Sequence, residues 1–181
     1  MLSRTFTPFP ILTTERLTLR QLVSYDEQEI FTLRSDSEIN KYLDRKRAKT
    51  IDDARSFIDK ISENINKNDS VYWAITFSDK NILIGTICLF VFSDDNDKCE
   101  IGYELLTNFQ GQGIMREALE KVIDYAFNTI KVKKIEAFFH RDNQSSIKLL
   151  EKFSFRNSNE PDRTNPELIC FYLTNSIDNF K

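Results

Sequence analysis

Two of the four glycines in the chain, Gly111 and Gly113, lie where the sequence changes from a strand pattern to a helical one. Residues 99–106 before them form an apolar strand pattern, and apolar side chains recur at helical spacing from Ile114 to Phe127. Glycine lets a ligand approach the backbone closely, and the first turn of a helix carries free N–H groups at its positive dipole end. The stretch therefore predicts a strand-to-helix turn that can bind an anion such as a phosphate group.

Two common phosphate loops do not fit this turn. A dinucleotide-binding fingerprint requires a third glycine where this chain has Arg116. A P-loop requires a Gly-Lys-Ser or Gly-Lys-Thr triplet, and none follows. On these residues alone, a strand-to-helix turn without a ligand also remains open.

The composition predicts one ordinary globular domain, residues 1–181, which is long enough to bury a core. A net charge of −3 and a pI near 5.3 disfavour general nucleic-acid binding. No apolar run approaches the roughly 20 residues of a membrane span. The N-terminus also lacks the apolar segment of a signal peptide. We therefore expect neither a nucleic-acid partner nor a membrane partner.

The three cysteines, Cys88, Cys99 and Cys170, are odd in number and scattered. Their spacing fits neither a disulfide framework nor a zinc site, and we expect no metal. The acidic run at residues 94–97 lacks the glycine and the distal glutamate of an EF-hand, so we interpret it as a solvated turn. Buried thiols in apolar segments are common. This pattern favours a reducing, cytoplasmic location.

The hydrophobic pattern predicts strands and helices in the order β-α-α-β-β-β-α-β-α-β. Predicted strands cover residues 11–22, 71–77, 82–92, 99–106, 134–139 and 168–174, and predicted helices cover residues 26–43, 50–66 and 143–152 together with the helix from residue 114. Thr50 and Asp53 indicate a capping box at the start of the second helix. Residues 155–167 are interpreted as a polar loop. Consecutive strands followed by βαβ units predict a mixed sheet flanked by helices.

Four segments in this order resemble the GNAT superfamily of N-acetyltransferases, and within it the RimJ/RimL-like branch. They are Thr-Glu-Arg-Leu-Thr-Leu-Arg at 14–20, Glu-Ile-Gly-Tyr at 100–103, the glycine turn with its helix at 110–118, and the Asn-x-x-Ser helix with its Phe-Ser-Phe ending at 143–155. The resemblance implies an α+β fold with a mixed, largely antiparallel sheet of six or seven strands. It also implies that this sheet is splayed at its central strands. The implied activity is transfer of an acetyl group from acetyl-CoA to a primary amine.

The chain departs from the family pattern at two positions. Met115 stands where the family usually has a small residue, so we expect the loop to bind through its backbone while the Met115 side chain turns into the core. Ser154 replaces the glycine before Phe155, which predicts either strain in that turn or a different turn type.

The resemblance also implies which residues hold the cofactor. The backbone N–H groups of the loop would bind the pyrophosphate, and the loop residues are Gln110, Gly111, Gln112, Gly113, Ile114, Met115 and Arg116. Arg116 would add positive charge, or would simply be an exposed helix residue. The pantetheine arm would pair with the backbone of Leu105, Leu106 and Thr107. Asn143 would cap its helix and bind the pantetheine amide or a water.

The reaction also needs a base for the amine and an acid for the departing thiolate. Glu100 is the predicted base, because a partly dry site would raise its pKa toward useful values. Glu104 lies on the same face of the strand and is the rival, with solvent as a further candidate. Many family members use a tyrosine as the acid where this chain has Leu150, so the resemblance points to Ser146. His140, the only histidine, could act as an acid or base, or have a structural role.

The acceptor stays open at this stage. It is either a protein N-terminus or a small-molecule amine, and carboxylates at Asp36, Glu38 and in the polar loop could attract a cation or simply be solvated. The protein would be a monomer or a homodimer. One alternative is a catalytically silent acyl-CoA-binding or regulatory module of the same fold. Another is a nucleotide-binding interaction domain.

Overall fold

The computed structural model describes residues 4–95, 97–161 and 165–175. Within these residues the chain forms one mixed sheet with the strand order β1-β2-β3-β4-β5-β6-β8-β7. The strands are β1 (Leu12–Thr13), β2 (Leu17–Gln21), β3 (Val71–Phe77), β4 (Lys80–Phe90), β5 (Lys98–Leu105), β6 (Lys134–His140), β7 (Arg156–Pro161) and β8 (Leu168–Thr174). The α-helices are α1 (Glu27–Ser35), α2 (Ile51–Asn66), α3 (Ile114–Tyr125) and α4 (Gln144–Glu151). This architecture confirms the predicted α+β fold class.

The helices cover both faces of the sheet. Tyr72 and Trp73 are neighbours on β3, so their side chains point to opposite faces. Tyr72 meets Phe57 of α2 edge-on at 5.6 Å, whereas Trp73 meets Tyr125 of α3 at the same distance. Therefore α2 and α3 lie on opposite faces. None of the helices in the described part of the chain is long and apolar enough to cross a membrane.

The start of α2 confirms the predicted capping box. The Thr50 hydroxyl accepts a hydrogen bond from the Asp53 N–H at 3.2 Å, and the Asp53 carboxylate accepts one from the Thr50 N–H at 3.0 Å. These bonds satisfy donors that a helix start otherwise leaves open. The periodic apolar side chains Ile58, Ile61 and Ile65 are then buried against the sheet.

Two predictions about strands are corrected. Residues 11–22 form β1 and β2 rather than one strand, because the chain turns between them, where the Thr14 N–H donates to the Leu17 carbonyl at 2.9 Å. The predicted polar loop at 155–167 contains β7, which pairs with β8. Its sequence shows no apolar alternation, so backbone pairing rather than side-chain burial makes it a strand. The described sheet consequently has eight strands, not six or seven. Asp162 and Arg163 of that loop lie outside the described residues, as does Asn96 of the acidic run.

The first helix is shorter than predicted, because α1 ends at Ser35 instead of continuing to residue 43. Asp36 is extended, and its carboxylate accepts the N–H groups of Glu38 and Ile39 at 2.8 and 2.9 Å. Such a local turn competes with helix continuation. Asp36 therefore has a structural role in this turn.

The sheet is splayed at its centre, as predicted. All neighbouring strands are antiparallel except β5 and β6, which are parallel and paired at only three positions, the last being Glu100 with Glu136. Beyond that point β5 stays paired with β4, and β6 stays paired with β8. We call the gap between β5 residues 101–105 and β6 residues 137–140 the wedge.

The end of α4 resolves the question raised by Ser154. Its φ of +63° lies in the left-handed region, the Ser154 N–H donates to the Glu151 carbonyl at 2.9 Å, and the Phe155 N–H donates to the Leu150 carbonyl at 3.2 Å. This is the hydrogen-bond pattern in which glycine usually ends a helix. Ser154 therefore keeps the turn type and carries the backbone strain.

We expect Ser154→Gly to raise the free energy of unfolding by about 1 kcal/mol. Glycine adopts the left-handed conformation without the clash that a Cβ causes, although its freedom in the unfolded chain reduces the gain. Ser154→Ala is the matched control, because it removes the hydroxyl and keeps the Cβ, and it should not stabilise. Urea denaturation measures both. A Ser154→Gly variant no more stable than the parent would contradict this account of the turn.

Candidate functional site

The glycine turn joins β5 to α3, which confirms the predicted strand-to-helix turn. After β5 the chain makes one 3-10 turn at Thr107–Phe109, and α3 begins at Ile114. Gly111 and Gly113 have φ values of +73° and +76°, which side-chain-bearing residues rarely adopt. A Cβ on Gly111 would meet no atom within 4 Å, so this side of the turn is open. The two glycines therefore allow a sharp turn with an accessible backbone.

The turn presents a row of backbone donors. The first backbone hydrogen bond of α3 runs from the Glu117 N–H to the Gly113 carbonyl at 3.1 Å. Among the described residues, no backbone carbonyl accepts a bond from the N–H groups of residues 111–116. Residues 111–113 are exposed. These donors lie at the positive end of a helix dipole and so form an anion-binding arrangement.

The side chains of the turn mostly hold its shape. Gln110 donates from Nε2 to the Leu105 carbonyl at 3.0 Å, and Gln112 donates to the Asn108 carbonyl at 2.9 Å. Ile114 and Met115 are buried in the core, which confirms that the Met115 side chain turns inward. Arg116 is exposed on α3. An anion would thus meet backbone N–H groups and the Arg116 charge.

A clamp that sequence reasoning missed joins the β1–β2 turn to α3. Arg16 bonds Glu117 through its Nε at 2.6 Å and its N–H at 2.9 Å, and its Nη1 donates to the Gln112 carbonyl at 3.3 Å. Thr14 also donates to Glu117. Burial opposes ionisation of Glu117, but the bonds from Thr14 and Arg16 outweigh it and lower the Glu117 pKa. The Arg16 Nη2 lies 3.6 Å from where a Cβ of Gly113 would be, so a cation borders the donors.

A groove of about 760 Å³ lies between the β1–β2 turn and α3, beside these donors. Arg16, Gly113, Arg116 and Lys121 are among the residues that line it. Four carboxylates share this lining, namely Glu15, Glu117, Glu120 and Asp124. The positive charge that borders the backbone donors therefore comes from Arg16, beside Gly113.

The backbone of β5 faces the wedge at alternate residues. The Leu106 N–H donates to the Ile84 carbonyl of the β4 segment at 2.9 Å. Successive strand residues bond in opposite directions, so Tyr103 and Leu105 direct their backbone groups toward the wedge. Thr107 already lies in the 3-10 turn. Of the three residues expected to pair with a pantetheine arm, only Leu105 is on the edge that faces the wedge.

Glu100 lies at the apex of the wedge, as the last β5 residue paired with β6. The register puts it on one face with Phe90 and Glu136. Glu136 is held by Lys98 at 3.1 Å and by Lys134 at 2.5 Å. Burial opposes ionisation of Glu136, but these two bonds outweigh it and lower its pKa. The positive charges of Lys98 and Lys134 therefore offset the negative charge of Glu136 beside Glu100.

The rival carboxylate, Glu104, is held by an arginine. Arg45, in the segment after α1, donates from Nη1 to Glu104 at 2.9 Å and also bonds it through Nη2. Arg45 is fixed in turn by its Nε bond to Asn40 at 2.8 Å. The Glu104 side chain is only 11% exposed. The bidentate ion pair engages both carboxylate oxygens of Glu104, so an amine that approached Glu104 would have to displace Arg45.

Gly102 lies on β5, paired with Cys88 of β4. A Cβ there would lie 3.3 Å from Phe90 Cε1 and 3.4 Å from Cys88 Sγ. The space is already filled by these side chains, so the glycine permits close packing between β4 and β5.

Helix α4 brings Ser146 to the other side of the wedge. The Asn143 side-chain oxygen accepts the Ser146 N–H at 3.2 Å and the Ser145 hydroxyl at 2.8 Å, which confirms Asn143 as the helix cap. Ser146 is 9% exposed. Leu150 is fully buried in the core and has no polar atom to offer. Ser145 lies in the first turn of α4.

Tyr103 was part of a recognised motif but had no assigned role. Its register with Ile87, and through Ile87 with Trp73, puts its ring on the α3 face of the sheet. Its hydroxyl is buried and has no hydrogen-bond partner among the described residues. Ser146 is nevertheless near enough to act on it: burial raises the pKa of Tyr103 to about 12, and the Ser146 hydroxyl offsets part of that rise.

His140, at the end of β6, makes packing and polar contacts. Its ring stacks on Tyr42 with centroids 5.4 Å apart, and its Nδ1 accepts the Asp142 N–H at 3.2 Å. Glu167 lies 3.6 Å from its Nε2. These contacts join the segment after α1 to the far side of the wedge and support the structural role.

The three cysteines are free thiols. Burial raises the pKa of Cys88 and of Cys99 to about 12, and that of Cys170 to about 11. Thiolate is the nucleophilic form of cysteine. These side chains therefore remain protonated and are unsuited to carrying an acyl group.

Comparison with known proteins agrees with this geometry. Residues 16–156 match the family model described as an acetyltransferase (GNAT) domain. A solved structure of RimL, a ribosomal L7/L12 alpha-N-protein acetyltransferase in complex with coenzyme A, superimposes with a TM-score of 0.79. It is 18% identical and covers 91% of this chain and 98% of its own, so it shows a shared fold.

Two curated relatives are closer in sequence. The uncharacterized N-acetyltransferase YoaA of Bacillus subtilis is 32% identical over 82% of this chain and 84% of its own length. The uncharacterized N-acetyltransferase p20 of Bacillus licheniformis is 34% identical over 80% of this chain and 82% of its own. The chain therefore belongs to the GNAT acetyltransferase family and is an acyltransferase.

Proposed function

We propose that the protein is an acetyl-CoA-dependent N-acetyltransferase that transfers the acetyl group directly to a primary amine within a ternary complex. The observation that carries the proposal is the wedge, which opens at Glu100 and leads to the unbonded N–H groups of residues 111–116. An acyl-CoA has an extended, amide-containing arm that matches the open edge of the wedge. Its anionic pyrophosphate matches the N–H groups of residues 111–116.

In this proposal the cofactor lies along β5. The N–H groups of residues 111–116 bind the pyrophosphate, with Arg16 and Arg116 adding positive charge beside Gly113. The pantetheine arm runs along the backbone of Tyr103 and Leu105, and Asn143 reaches it with its amide nitrogen. Support for coenzyme A as the ligand comes from the shared fold of RimL, which was solved with it.

The acceptor nitrogen approaches from the Glu100 side. An alkylammonium must lose a proton before it can attack, and Glu100 takes that proton directly or through water. The nitrogen then forms a bond to the thioester carbon, and N–H groups along the wedge stabilise the oxyanion. Direct transfer is favoured over a cysteine-bound intermediate, because the three thiols have raised pKa values.

The leaving sulfur departs toward α4. In this proposal Ser146 donates a proton to the leaving sulfur, since the buried Leu150 side chain has no acidic proton. The acceptor class is a protein N-terminus or a small-molecule amine; RimL, by its name, acts on a ribosomal protein. We further assign the chain to the RimJ/RimL-like branch and to the cytoplasm.

Gly113→Val should raise the Kd for coenzyme A at least tenfold, or ~1.4 kcal/mol. A β-branched side chain at a φ of +76° distorts the turn and blocks the approach to its N–H groups. The matched control is Lys131→Val, which introduces valine at another left-handed position, φ +69°, at the end of the π-helical segment Ala126–Ile130 that continues α3. Calorimetry on folded proteins measures both. Unchanged affinity in Gly113→Val would rule out the loop as the pyrophosphate site.

Glu100→Gln should flatten the acidic limb of the pH profile of kcat/KM for the best acceptor. That acceptor is found by screening N-terminal peptides, polyamines and aminoglycosides for amine-dependent thiol release from acetyl-CoA. A general base works only when deprotonated, so its loss removes the rise in rate with pH. No thiol release with any amine, despite coenzyme A binding, would instead favour a silent acyl-CoA-binding module.

Glu104→Gln is the control for this experiment. It removes a charge from the same strand face, and its main effect should be lower stability, because Arg45 loses its ion pair. If Glu104→Gln lost the pH dependence while Glu100→Gln kept it, the two assignments would be reversed.

A further inference from the structure

The Tyr103 hydroxyl has no structural explanation. It is one of two buried side-chain polar atoms without a hydrogen-bond partner among the described residues, the other being the Ser70 hydroxyl. Leaving such a group unpaired costs stability that a phenylalanine would not cost. The tyrosine ring packs against the core without needing this oxygen. We therefore expect the Tyr103 hydroxyl to gain a hydrogen-bond partner when the substrates are bound.

Ser146 is the side chain whose hydroxyl offsets part of the rise that burial causes in the Tyr103 pKa, which puts it near the Tyr103 hydroxyl. It is buried and fixed in the first turn of α4 by the Asn143 cap. The pair falls short of a complete hydrogen bond in the free protein. Catalytic hydrogen bonds are often loose without substrate and tighten in the complex.

We propose that Tyr103 is a positioning residue for Ser146, donating its O–H to the Ser146 oxygen when both substrates are bound. The Ser146 proton is then directed at the leaving sulfur. This inference rests on the proposed function, because it assigns a role within the same acetyl transfer.

The chemistry of the step balances without another reactant. As the C–S bond breaks, its electron pair stays on sulfur, and sulfur takes the Ser146 proton. The Tyr103 O–H stabilises the negative charge that develops on the serine oxygen. The proton that the newly acylated nitrogen loses is relayed through water to that oxygen, which restores the serine hydroxyl. Tyr103 keeps its own proton throughout. Burial raises the pKa of Tyr103 to about 12, so the hydroxyl stays protonated over the working pH range.

Tyr103→Phe tests the proposal, because it removes only the hydroxyl. We expect kcat to fall about tenfold, with little change in the Kd for coenzyme A, and Ser146→Ala to lower kcat by about 10²-fold. The double variant should be no slower than Ser146→Ala alone, because residues that act as a unit are not additive. Thermal stability of Tyr103→Phe should be equal to or above that of the parent, since no hydrogen bond is lost.

Tyr125→Phe is the matched control. It removes a tyrosine hydroxyl from the same face of the sheet, at the end of α3 and packed on Trp73, and should keep kcat. Full kcat in Tyr103→Phe, or losses that multiply in the double variant, would overturn the inference while leaving the proposed function intact. Absence of turnover in the parent protein with every amine would contradict the proposed function itself.

Discussion

The structure depends on the point where β5 and β6 stop pairing. The two strands are paired at three positions, the last of which joins Glu100 and Glu136. Beyond it, each strand continues without pairing to the other. Backbone N–H and C=O groups inside a sheet are normally bonded, because leaving them unpaired is costly. The open edge of β5 leads to the N–H groups of residues 111–116, which bond to no backbone carbonyl in the described part of the chain. An extended ligand with amides and a pyrophosphate would satisfy both sets of groups at once.

Contacts on each side hold the wedge open. On the β5 side, Gly85 lets β4 lie very close, because a Cβ there would be 2.5 Å from the Glu104 carbonyl oxygen. The Arg45 pair with Glu104 then ties the same strand to the segment after α1. On the other side, β8 pairs with β6 along its whole length. Each strand is thus fixed by its outer neighbour, and the gap between them does not depend on pairing across it.

Features written in short stretches of sequence were predictable. The Thr50 and Asn143 caps, the two glycines of the turn and the splayed sheet implied by the family resemblance all agree with the structure. Each local feature depends on residues within a few positions of one another. Met115 was also interpretable, because an apolar side chain at a position that is small in the family was expected to turn into the core, and it is buried.

Features that join distant segments were not predictable. Arg16 and Glu117 are 101 positions apart, and Arg45 and Glu104 are 59 apart, so no local pattern links them. Strand β7 was missed because its polar sequence has no alternation, and only its pairing with β8 defines it. The signal for Tyr103 was present in the Glu-Ile-Gly-Tyr motif, but its meaning depends on α4 packing across the wedge.

Amide hydrogen exchange with and without coenzyme A tests the central claim most directly, because it reports on the backbone groups themselves. Saturating coenzyme A should slow exchange at the N–H groups of residues 111–116 and at Leu105, which face the ligand. The Leu106 N–H, already bonded to Ile84, should change little. Binding of coenzyme A with no added protection at residues 111–116 would contradict the account.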